Sequence, residues 1–218
     1  MKIYEIFQSI DGEVNAFHQG CITTFIRLAG CCLNCTYCDT QYAMDPDSGT
    51  EMSINEIVNK VRELGGTKVT ITGGEPLMQA EELSKLTKKL WHLRFKISVE
   101  TNGTLPMNLP GVGSWVADFK LPSSGNYDKM DYDLFRHLVK LDYIKFVIMN
   151  ENDYLTAIRE KNYLQSMGCH ANFAFSPMFG PQATPINEIK HKLVEWLIRD
   201  KVFDAIVNVQ IHKLLGVA

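Results

Sequence analysis

Apolar and polar positions follow two periods that take turns along the chain. Ile3, Ile6 and Phe7 begin a strand that leads into a turn-rich stretch at 8–13, and residues 23–29 form a second apolar strand. Residues 39–52 are polar, include Pro46 and Gly49, and predict a loop. Ser53 and Glu56 then form a capping box for a helix to Leu64, where Gly65 and Gly66 stop it. A strand over 68–72 ends in Gly73-Gly74-Glu75-Pro76, and Leu83, Leu86 and Leu90 mark one face of the next helix. Further strands are expected at 95–100, 115–119, 143–149, 172–175 and 205–210. Helices are expected near 131–140, over 151–167, and from the Thr184 cap and Pro185 to Arg199. This alternation predicts an α/β fold with mostly parallel strands joined by crossovers. The count falls short of eight, so a partial (β/α) barrel fits better than a closed one. No low-complexity linker interrupts it, and one domain over 1–218 is expected.

Composition narrows the classes. With 218 residues, 45% of them apolar and 22% charged, the chain can bury a core. A net charge of −3 gives no electrostatic reason to expect nucleic acid or a membrane surface. No apolar run approaches the roughly 18 residues of a membrane span. The first residues carry Glu5 inside an alternating strand pattern, unlike a signal peptide. A cytoplasmic, reducing location is expected, where clustered cysteines serve as metal ligands or redox groups more often than as disulfides.

Ligands in such sheets sit at the carboxyl ends of the strands. The unusual residues gather there: a cysteine loop within 27–40, the Gly-Gly-Glu-Pro run, Glu100-Thr101-Asn102-Gly103, Asp118-Phe119-Lys120 and Ser176-Pro177. The loop holds four of the six cysteines, Cys31, Cys32, Cys35 and Cys38. A zinc site needs four ligands; Cys35 pairs with either Cys38 or Cys32 at the right spacing, and His18 or His170 could complete it. A thioredoxin-like pair opens a helix without extra thiols nearby. Three thiolates at Cys31-x-x-x-Cys35-x-x-Cys38 suit a four-iron cluster with one iron open to a non-protein ligand. Either Cys31 or Cys32 can be placed as the third thiolate. Cys21 and Cys169 stand alone and are expected to be buried as small apolar residues.

That spacing, with Tyr37 before the last cysteine and Gly-Gly-Glu-Pro at a strand end, resembles the radical S-adenosylmethionine (SAM) enzymes. The resemblance implies a trimmed partial barrel of the radical SAM type. It selects Cys31, Cys35 and Cys38 for a [4Fe-4S] cluster and leaves Cys32 where most relatives carry something else. It places SAM on the open iron, with Gly74 near its methionine end and Tyr37, Cys38 and Asp39 facing the adenine. Asp118, Phe119 and Lys120, with Ser176, Pro177 and Met178, would hold the ribose and adenine side.

Residues 5–13, 25–31, 38–40, 72–76, 100–104 and 210–218 resemble one narrower family, the 7-carboxy-7-deazaguanine synthases of the queuosine precursor pathway, which serves tRNA modification. The resemblance implies a carbon–nitrogen lyase that contracts 6-carboxy-5,6,7,8-tetrahydropterin to 7-carboxy-7-deazaguanine with loss of ammonia. Arg27 would take the substrate carboxylate, and Ile10, Asp11, Gly12, Thr72, His212 and the carboxylate of Ala218 would complete the substrate site. Glu13 is a further candidate for the guanidine-like edge, and Asp11 stands where the family carries Gln. Thr40 matches a Mg²⁺ position. A homodimer and an electron donor such as flavodoxin or ferredoxin are implied, without direct nucleic-acid contact. Two other functions suit the cysteines: a radical SAM activase of a glycyl-radical protein, and a non-catalytic zinc-binding module.

Overall fold

In the computed structural model, residues 1–179 and 186–217 are described. The elements run β1 (Lys2–Ile10), β2 (Ile22–Leu28), β3 (Thr50–Glu51), α1 (Ile54–Leu64), β4 (Lys68–Gly73), α2 (Ala80–His92), β5 (Lys96–Thr101) and β6 (Ser114–Asp118). They continue α3 (Tyr132–Phe135), β7 (Tyr143–Ile148), α4 (Glu151–Ser166), β8 (Asn172–Pro177), α5 (Ile186–Arg199), β9 (Ala205–Val207) and α6 (Ile211–Leu215). Among the described residues one sheet forms in the order β3-β1-β2-β4-β5-β6-β7-β8-β9. β1 is antiparallel to β2 and β3, whereas every pairing from β2 to β9 is parallel. The edges do not pair with each other, so the sheet is a partial barrel. No helix among the described residues is long and apolar enough to cross a membrane.

Local chemistry explains the element ends. Ser53 accepts from the Glu56 N–H while the Glu56 carboxylate accepts from the Ser53 N–H, closing the capping box that starts α1. The helix expected at 131–140 is a single turn, because the Asp142 carboxylate takes the Val139 N–H at 2.9 Å and the Trp115 N–H at 2.9 Å. Those bonds hold 136–142 in turns. The last strand stops at Val207 rather than Gln210, since Asn208 turns its side chain inward to Glu13 and Ser176. The loop at 39–52 also holds two short 3₁₀ turns and β3. The expected cap at Thr184 and Pro185 lies outside the described residues.

The parallel strands keep a period of two. Ile26, Leu28, Val69, Ile71, Ile97, Val99, Ala117, Ile144, Phe146, Phe173 and Phe175 join the apolar core. Their alternate neighbours, Arg27, Thr70, Thr72, Ser98, Glu100, Asp118, Lys145 and Ser176, bring polar groups to the barrel interior, where hydrogen bonds link neighbouring strands. Parallel strands covered on both faces by helices carry apolar residues on both. Here α1, α2, α4 and α5 pack their apolar residues into that core, which leaves the other face of the sheet for chemistry.

The lower part of that interior is filled by the segment between β1 and β2. Asp11 is fully buried, pairs with Lys68 at 2.8 Å and accepts from Thr70 at 2.8 Å. Lys68 also donates to the Phe17 and His18 carbonyls, at 3.2 and 2.9 Å. The Ala16 N–H meets Ser114 Oγ at 3.1 Å. With its floor packed this way, the barrel opens toward the carboxyl ends of its strands.

Candidate active site

A cavity of about 430 Å³ opens at those strand ends. Its wall includes Cys31, Cys35 and Cys38 but not Cys32, which is exposed beside Asn102 and Thr104. Burial pushes the Cys31 and Cys35 thiols above their ordinary values, so loading metal on them must displace protons. Among the described residues, no three His, Cys, Asp or Glu side chains are grouped to hold one metal ion. Three thiols on one wall are the ligand set of a four-iron cluster, in which each thiolate would bind a different iron. The Tyr37 hydroxyl is buried in the same wall without a hydrogen-bond partner among the described residues.

The glycines of the Gly-Gly-Glu-Pro run bring backbones together. A Cβ on Gly74 would lie 2.2 Å from the Gly30 carbonyl, and the Glu75 N–H already bonds that carbonyl at 2.7 Å. The Glu75 side chain is fully buried and accepts from the Leu77 N–H, the Asn102 N–H and the Thr101 hydroxyl. It clasps the ends of β4 and β5 against the cysteine loop and does not line the cavity.

Arg27 projects from β2 into the wall. Its Nε donates to Glu5 Oε1 at 2.8 Å, and its guanidinium lies 5.6 Å from the Phe7 ring centre and 5.7 Å from that of Tyr42. The two terminal nitrogens keep no hydrogen-bond partner among the described residues. The guanidinium is therefore oriented, with its fork free of the other described residues. β4, the next strand, presents Thr72 in register with Arg27, and the Thr72 hydroxyl donates to Glu100 Oε2 at 2.8 Å. Burial, then the nearby Glu13 carboxylate, pushes the Glu100 carboxyl up to about 8.

A charged string crosses the wall behind Glu100. Lys145 bridges Glu13 at 3.0 Å and Asp118 at 3.1 Å, and Lys120 pairs with Asp118 at 2.7 Å. Burial acts to raise the Asp118 carboxyl, but Lys120 and Lys145 outweigh it and hold the group below its usual value. Glu13 also accepts from Gln210 at 2.7 Å and from Asn208. Across the mouth, Thr40 donates to Asp39 at 3.1 Å and Asp39 pairs with Lys213. Burial acts to raise Asp39; Lys213 and the Thr40 hydroxyl outweigh it and lower it. The His212 ring packs over Gly12, where a Cβ would lie 1.7 Å from Nδ1, and burial lowers its pKa toward the neutral imidazole.

The cavity thus brings together Gly12, Arg27, the three cysteines, Tyr37, Asp39, Thr40, Thr72, Gly74, Asp118, Lys120, Ser176, Pro177, Met178 and His212. Three sequence candidates lie elsewhere. Ile10 pairs with Ile22 and Asp11 belongs to the buried floor, neither lining the cavity, and Phe119 packs among Tyr127, Tyr132, Phe135 and Phe146 in the core. Ala218 lies outside the described residues. Cys169 is buried as expected, but Cys21 is exposed, because it precedes β2 where the floor segment turns back at the surface. Glu100 and Lys145 had no assigned role in the sequence; a lone acid or lysine at alternate positions of a strand gives no sign of facing inward.

Residues 25–120 match the Radical SAM superfamily. The 7-carboxy-7-deazaguanine synthase of Clostridium acetobutylicum is 35% identical to this chain over 98% of it and 95% of the relative. The synthase of Methanospirillum hungatei is 35% identical over 99% of this chain and 86% of its own, and that of Koribacter versatilis 33% over 99% and 96%. Among solved structures, QueE from Escherichia coli aligns with a TM-score of 0.74 at 22% identity, over 96% of this chain and 93% of its own, a likeness of fold.

Proposed function

Because the chain belongs to the 7-carboxy-7-deazaguanine synthase family within the radical SAM superfamily, we propose that it contracts 6-carboxy-5,6,7,8-tetrahydropterin to 7-carboxy-7-deazaguanine and ammonia, as a carbon–nitrogen lyase for queuosine biosynthesis. The family implies a [4Fe-4S] cluster and SAM. Cys31, Cys35 and Cys38 would hold the cluster, and Tyr37, Asp39, Gly74, Asp118, Lys120, Ser176, Pro177 and Met178 would surround SAM. With an external reductant, the bound cluster and SAM would supply hydrogen-atom-abstracting chemistry.

The chain's own residues bind and orient the pterin. The observation that carries this reading is the Arg27 fork, fixed by Glu5 and two aromatic rings on the cavity wall, with both terminal nitrogens free of hydrogen bonds to the other described residues. It suits a carboxylate bound through two parallel hydrogen bonds. Glu100 and Thr72, paired with each other on neighbouring strands, suit the guanidine-like edge. Glu13 is a weaker candidate, since Lys145, Gln210 and Asn208 already occupy its carboxylate. A neutral His212 over Gly12 covers the ring without adding charge. Ile10 and Asp11 act from the floor, by shaping the backbone that carries Gly12.

Thr40 and Asp39 offer few oxygens, so Mg²⁺ would be held jointly with the substrate and its own waters. A single catalytic domain over 1–218, a homodimer, a cytoplasmic location and a flavodoxin- or ferredoxin-type reductant belong to the same proposal. Light scattering tests the dimer. The full-length likeness to synthases makes a glycyl-radical activase the weaker reading. Anaerobic incubation of the reconstituted protein with the carboxytetrahydropterin, SAM, Mg²⁺ and a reductant should give the deazaguanine acid and ammonia. A loaded cluster that makes neither overturns the proposal.

A further inference from the structure

Two buried amides touch the cysteine sulfurs. Asn102, just past β5, is 7% exposed, and Asn126, beyond β6, is 8% exposed. Backbone partners settle which way each amide points. Asn102 Oδ1 accepts from the Thr104 N–H at 3.1 Å and from its hydroxyl at 2.6 Å, so the NH₂ faces the sulfurs. That nitrogen lies 3.5 Å from Cys32 Sγ and 3.8 Å from Cys31 Sγ. Asn126 Nδ2 donates to the Ser124 carbonyl at 3.1 Å and to Cys35 Sγ at 3.5 Å. The Asn102 backbone is itself anchored, its N–H on Glu75 at 2.7 Å. Neither amide is free to wander.

An N–H donated to a ligating sulfur stabilises negative charge on the cluster. The reduced cluster carries one more negative charge, gains more from the bond, and its potential rises. On this arithmetic the two amides are unequal. Asn126 gives its second hydrogen to the ligand Cys35. Asn102 divides its donation between the ligand Cys31 and the exposed Cys32, and stands nearer to Cys32.

We propose that these two amides set the reduction potential of the cluster, and that Cys32 is a positioning residue which draws the Asn102 amide away from Cys31. Cys32 thereby holds the potential below the value Asn102 would otherwise impose. The inference rests on the radical SAM reading of Cys31, Cys35 and Cys38. It gives a part to a thiol that the cluster motif leaves unused.

The test compares wild type, Asn126→Leu, Cys32→Ala and Cys32→Ser, reconstituted anaerobically and assayed for iron and sulfide. Midpoint potentials are then read by electron paramagnetic resonance during a dye-mediated titration without substrate. Asn126→Leu should lower the equilibrium constant for reduction on the order of tenfold, which is about 59 mV for one electron. Cys32→Ala should shift it the other way, and Cys32→Ser, whose hydroxyl still accepts from Asn102, should return most of that shift. Full clusters with equal potentials in wild type and Cys32→Ala overturn the inference. If Asn126→Leu fails to load, the two variants at exposed Cys32 decide the matter alone. A wild-type protein that takes up no four-iron cluster is a different result, and removes the radical SAM reading together with this one.

Discussion

Replacing Lys145 with Met should expose how much the charged string matters. The Lys145 side chain is 10% exposed and its ammonium stands 3.0 Å from Glu13 and 3.1 Å from Asp118. Asp118 keeps Lys120 at 2.7 Å after the change, so its charge remains paired. Glu13, with a side chain 6% exposed, keeps only the neutral donors Asn208 and Gln210. Breaking a buried pair by removing one partner costs about 3–5 kcal/mol, and the loss should fall chiefly on Glu13. Adding Glu13→Gln should then cost little or restore stability, giving a coupling of about 2 kcal/mol against additivity. Urea unfolding of the metal-free protein, followed by circular dichroism under reducing conditions, measures both quantities. A penalty below about 1 kcal/mol, or strict additivity in the double variant, refutes the reasoning.

Other outcomes follow from the same geometry. Glu100 binds its proton up to about 8 in the folded chain against an ordinary 4.5, so its stabilising contribution is complete below pH 4.5 and is lost as pH rises through about 8. The stability of wild type relative to Glu100→Gln should decline across that window, and parallel unfolding profiles would contradict the raised pKa. Gly74→Ala places a Cβ 2.2 Å from the Gly30 carbonyl, a backbone atom with nowhere to go, so the cysteine loop should shift and iron loading should fall. Full iron incorporation would show that the loop yields more easily than the geometry allows. Arg27→Lys keeps the charge but loses the planar fork, which should cost about 1.5–3 kcal/mol in kcat/KM, mostly through KM, in steady-state assays. Unchanged kinetics would remove Arg27 from the carboxylate site.

Much of the fold was legible in the letters because its causes are local. The Ser53–Glu56 box, the leucines of α2 and the apolar alternation of β4 to β8 each act within a few residues, and the elements stand where the pattern puts them. Where distant side chains intervene, the pattern misleads. Asp142, held by the distant Trp115 N–H as well as the nearby Val139 N–H, shortens the helix expected at 131–140, and Asn208 ends β9 early through its contact with Glu13.

The same division runs through the site. Sequence alone determined the three-thiol spacing and the glycine-rich strand end, since spacing and residue type suffice to suggest a metal loop, and the family resemblance pointed to Arg27 beside them. Tertiary structure alone decided which inward positions share the cavity. A strand shows its side chains to two faces by turns, and only the curl of the sheet and the floor segment determine which face becomes the pocket. That is why Lys145 and the pairing of Glu100 with Thr72 surfaced only in three dimensions, why Asp11 fell to the floor beside Lys68, and why Cys32 proved to share an amide with Cys31.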